Sequence, residues 1–119
     1  MGKVEKVTSE HFEELVLQSD KPVVVIFYMD RSPHFKRLEP TLDKLADQFA
    51  THIKFLAVNF ETEPALATRY GITTIPTLSL FRNGRCDYAY QGFLLPQAVE
   101  AQLKHLAQLT EAELVGYEV

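Results

Sequence analysis

One cysteine in 119 residues, Cys86, leaves this chain without an internal disulfide, a Cys-x-x-Cys pair or a thiolate cluster. Chemistry by paired thiols would need a second molecule. The four histidines, His11, His34, His52 and His105, have no HxxxH or HExxH spacing, so the sequence offers no metal site. No basic stripe with interleaved aromatics is present, and 16 acidic against 12 basic residues give a net charge of −4, which argues against a nucleic-acid partner. The longest apolar run, Val23 to Met29, falls far short of the roughly 20 residues that cross a bilayer, so no membrane partner is expected. The opening residues MGKVEKVTSE lack the apolar centre of a secretory signal, and Lys6 stands where a myristoylation pattern needs Ser or Thr. A cytoplasmic, soluble protein is the expectation.

What is present suits a single compact domain: 46% hydrophobic and 24% charged residues can bury one core without staples. Val4 to Thr8 reads as a weak first strand. Ser9 or Thr8 can cap a helix through Gln18, with Phe12, Leu15 and Val16 at helical spacing. Val23 to Met29 is an unbroken β-branched and aromatic run, which fits a central strand covered on both faces. After a turn at Asp30 to Pro33, a second helix carries Phe35, Leu38, Leu42, Leu45, Ala46 and Phe49 on one face, with a kink expected at Pro40. Ile53 to Asn59 follows as a strand, then a short helix opened by Pro64 and stopped at Gly71. Thr77 to Arg82, Asn83-Gly84 and Arg85 to Tyr90 form a hairpin, and Pro96 opens a last helix to about Ala107. This alternation predicts an α/β domain with helices on both faces of a mixed sheet.

In that order and at those intervals, residues 4 to 107 resemble thioredoxin. The resemblance rests on VVVIFYMD running into FKRLEPTLDKLADQF, on YGITTIPT before the hairpin, and on LFRNGR and YQGF closing the pattern. It implies the thioredoxin fold with a cis-proline loop at Ile75-Pro76 in a domain over residues 1–109; beyond it, Thr110 and Glu113 at capping-box spacing leave 110–119 as a tail or short extra helix. It also implies thiol-disulfide exchange and a role in cell redox homeostasis, and here the sequence departs from its family. Where thioredoxins read Trp-Cys-Gly-Pro-Cys-Lys, this chain reads Arg31-Ser32-Pro33-His34-Phe35-Lys36, so Ser32 and Phe35 stand in the two cysteine positions. The family's buried aspartate and lysine, which move protons to and from the dithiol, are replaced by Ile26 and Ala57. Unpaired buried charges cost several kcal/mol, on the order of what an apolar replacement recovers once the dithiol is gone.

The expectation is a redox-inactive, thioredoxin-like protein without catalytic residues, cofactor or metal, acting as an adapter, assembly factor or chaperone-like module. The resemblance places its protein-binding groove at Arg31, Ser32, Pro33, His34, Thr74, Ile75, Pro76, Gly92 and Phe93, with protein or peptide segments as partners and a homodimer as the oligomeric alternative. The enzyme alternative is residual thiol-disulfide or glutathione-linked activity through Ser32 or Cys86. Ser32 otherwise caps a helix, and Phe35 follows the apolar face and fills the space beneath the site. Phe93 either narrows the groove or offers an aromatic anchor. Alternation along β-structure puts Cys86 on one face with Tyr88 and Tyr90, as a small buried hydrophobe or as an exposed thiol.

Overall fold

The computed structural model describes residues 4–49 and 53–91, together with 97, 98, 100, 101 and 105. Five strands form one mixed sheet in the order β1-β3-β2-β4-β5. These are β1 (Glu5–Lys6), β2 (Val23–Tyr28), β3 (Lys54–Asn59), β4 (Thr77–Arg82) and β5 (Arg85–Gln91). β3 runs parallel to β1 and β2, whereas β4 is antiparallel to both β2 and β5. Between them run α1 (Ser9–Phe12), α2 (Pro33–Gln48) and α3 (Pro64–Arg69).

Every residue of β2 is buried, because the strand lies between β3 and β4 and its alternate side chains feed two cores. Val24, Ile26 and Tyr28 join Phe35, Leu38, Leu42, Leu45 and Ala46 of α2 on one face. Val23, Val25 and Phe27 join Phe12, Val16, Leu66 and Ala67 on the other. Each such apolar side chain contributes roughly 1.5–3 kcal/mol on burial, so the two-sided cover accounts for the strand's continuous apolar sequence. The buried hydroxyls are satisfied: Ser79 donates to the Val25 carbonyl at 2.7 Å, and Thr77 donates to the Thr74 carbonyl at 2.5 Å.

α2 is continuous through Pro40, where proline leaves the carbonyl one turn back without its amide. Leu38 and Leu42, both buried, anchor the helix to the sheet on either side of that exposed proline, and tertiary packing outweighs the local loss. At α1, neither Thr8 nor Ser9 supplies a side-chain cap. The Ser9 amide donates instead to the Glu63 carboxylate, 2.9 Å away and 54 residues along the chain, so no local pattern could reveal it. Past Phe12 the helix widens over Glu13–Leu17, where the Gln18 amide reaches back to the Glu13 carbonyl at 2.9 Å.

The hydrogen bond from the Ser9 amide holds the Glu63 carboxyl below the usual carboxylate range. Glu63→Ala should cost about 0.5–1 kcal/mol, the scale of a lost helix cap at an exposed site. Because the folded-state value is depressed, the contribution is complete above the unfolded value of about 4.3 and fades as pH falls through the folded one. Urea melts at neutral pH and at about pH 3 should therefore separate wild type from variant only at neutral pH.

A further departure from expectation is at the hairpin. Asn83 and Gly84 have φ of 53° and 77°, as the tight Asn-Gly turn requires. Phe81 then faces Cys86, but Leu80 faces Tyr88, so Asp87 is an extra residue in a bulge. Its carboxylate lies 2.9 Å from the Arg82 guanidinium and 3.6 Å from that of Arg85. The bulge breaks the alternation: Cys86 shares the face of Phe81 and packs, half-buried, against the second core, whereas Tyr90 lies opposite Leu78 on the α2 face. The expectation that Cys86 and the tyrosines share one face is thus overturned.

α3 ends as read. Gly71, at φ 69°, closes a motif in which its amide meets the Thr68 carbonyl at 3.2 Å and the Ile72 amide meets Ala67 at 2.8 Å. Residues 97, 98, 100, 101 and 105 are helical, and Lys44 of α2 approaches Glu100 at 3.6 Å. The other residues of the expected last helix, and the tail 110–119, lie outside the described residues.

Candidate functional site

The carboxyl end of β2 and the amino end of β4 meet at one end of the sheet, with Phe27 paired to Thr77. That pairing brings the turn 29–32 and the start of α2 to the same end as Thr74, Ile75 and Pro76. Of these, Thr74 is exposed, Ile75 half-buried and Pro76 buried, and the Ile75-Pro76 bond is cis. The Thr77 hydroxyl occupies the Thr74 carbonyl. No group among the described residues hydrogen-bonds the Ile75 amide or carbonyl.

Ser32 is the N-cap of α2, in extended conformation, and its hydroxyl oxygen accepts from the Phe35 amide at 3.4 Å. The hydroxyl therefore does structural work at the helix start. Pro33 at the first helical position loses an amide that would have had no helical partner. Phe35 is 3% exposed, and its ring stacks on Tyr28 with centroids 4.1 Å apart and planes 22° from parallel. Beneath this pair Ile26 and Ala57 lie side by side across β2 and β3, 0% and 1% exposed. Leu78 faces Ile26 from β4. The floor of the site is hydrocarbon, with no ionisable group at either position. Burial, followed by the charge and hydrogen bond of Asp30 and the charge of Glu39, pushes the Tyr28 hydroxyl up to about 12.

Around this dry floor runs a polar rim that sequence reading missed. Arg31 is ion-paired to Glu61, which raises its guanidinium further above an already high value. Asn59 donates to Asp30 at 3.1 Å and accepts from the Glu61 amide at 2.9 Å, and Lys6 stands 3.9 Å from Asp30. The contacts that join these segments span 24 to 30 residues and leave no signature in local spacing; the only signal was that acids and bases flank both loops. Arg31, Ser32, Pro33, Thr74, Ile75 and Pro76 are thus gathered at one end of the sheet. The His34 side chain, Gly92 and Phe93 lie outside the described residues. Among the described residues no group of histidine, cysteine and carboxylates could hold a metal ion.

Cys86 is remote from this end. It pairs with Phe81, which pairs with Val23 at the opposite end of β2. Its setting is the second core, beside Tyr70, whose hydroxyl is pushed up mainly by burial.

Comparison with known proteins agrees with this fold. Residues 3–105 match the thioredoxin family model. The thioredoxin of Rickettsia bellii is 37% identical over 78 residues, spanning 66% of this chain and 74% of the relative. Thioredoxin 1 of a Nostoc species is 36% identical over 85 residues, 71% of this chain and 79% of the relative. The crystal structure of Malassezia sympodialis thioredoxin superposes with a TM-score of 0.77 over 90% of this chain and 93% of its own, at 24% identity. The chain belongs to the thioredoxin family and has the thioredoxin fold.

Proposed function

We propose that this protein is a redox-inactive member of the thioredoxin family that binds extended protein segments in the cytoplasm, as an adapter, assembly factor or chaperone-like module. The observation that carries the reading is what stands in the two cysteine positions: a serine used as a helix cap and a phenylalanine buried against Tyr28. A dithiol mechanism needs an attacking and a resolving thiolate, and the chain holds only Cys86, at the other end of the sheet. The loop that would take a partner keeps its exposed Thr74 and an Ile75 backbone without a hydrogen-bond partner among the described residues, the requirement for adding an extended strand. Thiol or glutathione chemistry through Ser32 or Cys86 has less behind it, since Ser32 carries no thiol and the two residues are not neighbours.

Partner binding tests the groove directly. In pull-downs from the source cell followed by affinity measurement on the recovered partner, Phe93→Glu should cost on the order of 2 kcal/mol or more, the scale of a lost hot-spot anchor. Arg31→Ala should have a smaller effect, seen chiefly at low salt, because its charge is exposed and screened. Both variants should keep the wild-type circular dichroism spectrum. Equal binding by all three proteins would move the function to another face.

A further inference from the structure

The positive charges of the described residues are unevenly committed. Lys6, Arg31, Lys44, Arg82 and Arg85 each have a carboxylate partner, Lys54 reaches the Leu15 carbonyl, and Arg69 lies over the Tyr70 ring. Among the described lysines and arginines, only Lys36 and Arg37 have side chains with no partner among the described residues. They are adjacent, exposed, and lie just inside the amino end of α2, one turn from the Ser32 cap.

This placement does nothing for the fold. Cations near a helix amino end oppose the macrodipole, and the first turn of α2 has no acid to offset them. Glu39 is three residues from Lys36, the spacing of a helical ion pair, yet the two side chains form no ion pair. In a chain of net charge −4, Lys36 and Arg37 are two cations without a described counter-charge, on the helix that starts at the same end of the sheet as Ile75.

Resting on the groove reading above, we infer that the segments bound there are acidic: an extended peptide pairs with the backbone at Ile75 and directs Asp or Glu side chains to Lys36 and Arg37. Complementary charge of this kind fixes partner choice and encounter rate more than total affinity. A partner's carboxylates would give the two cations the counter-charge that the described part of the fold withholds.

The test is selection of unconstrained twelve-residue peptides, displayed on phage, against the full chain, with recovered peptides synthesised and titrated by fluorescence anisotropy. Recovered sequences should be enriched in Asp and Glu beside an alternating segment. Lys36→Glu combined with Arg37→Glu should weaken them by about tenfold at low salt and about twofold at 0.5 M salt, as expected for exposed charges. Thr74→Arg, which fills the exposed position before Ile75, should remove binding at either salt. Peptides that lose binding with Thr74→Arg, yet show no acidic enrichment and ignore the charge reversal, would overturn the acidic preference and leave the groove standing. No enriched peptide, or peptides indifferent to Thr74→Arg, would overturn the groove reading and this inference with it.

Discussion

Ile26→Asp should remove on the order of 4–7 kcal/mol of stability at neutral pH. Ile26 is 0% exposed, with Ala57 on one side and Leu78 on the other, so an introduced carboxylate would find neither water nor a cation. Full burial raises a carboxyl pKa by up to about 3–5 units, each worth about 1.4 kcal/mol. The sign follows from linkage: with the folded-state value raised, the folded protein holds its proton longer than the unfolded chain. The electrostatic penalty is therefore absent below the unfolded value of about 3.9, grows as pH rises, and levels off above the folded value. Melts of wild type and variant should diverge steadily between about pH 4 and pH 8. Adding Ala57→Lys should recover part of the loss by supplying a paired charge across the strands. A deficit that stays constant with pH would mean that the new group reaches solvent and that the floor of the site is not dry.

Ser32→Cys combined with Phe35→Cys should produce a protein that forms a disulfide and is markedly less stable. Replacing a buried phenylalanine by a small residue costs about 3–5 kcal/mol, and the stacked Tyr28 ring loses its own contact of about 0.5–1.5 kcal/mol. Cysteine refills a little of the volume, so about 3 kcal/mol is expected for the reduced variant in urea. Disulfide turnover should be slow, because Ile26 and Ala57 leave no group at those positions to shuttle a proton. A loss below about 1 kcal/mol would show that the Phe35 ring is not a structural replacement for what preceded it. Thioredoxin-like rates from the two cysteines alone would show that the Ile26 and Ala57 positions matter little.

Much of the architecture was legible because it is local. The unbroken run of β2, the helical stripe from Phe35 to Ala46, the Asn-Gly turn and the Gly71 stop each follow from residues within a few positions of one another. The errors occurred where distant residues decide. The cap of α1 comes from Glu63. Period-2 alternation misplaced Cys86 because it presumes an unbroken strand, whereas Asp87 bulges toward Arg82 and Arg85. At the site, motif spacing could place Ser32, Phe35, Ile26 and Ala57 but not their surroundings. The stacking of Phe35 on Tyr28, the adjacency of Ile26 and Ala57, and the rim joining Asp30, Asn59, Glu61 and Arg31 belong to the folded sheet.

The central claim, that this thioredoxin-family site has no thiol-disulfide function, is most directly tested by the rate of insulin reduction in dithiothreitol. Wild-type protein should match the rate of buffer and dithiothreitol alone, because the only cysteine, half-buried at the far end of the sheet, has no resolving partner. A protein-dependent rate above that baseline, proportional to protein concentration, would contradict the account.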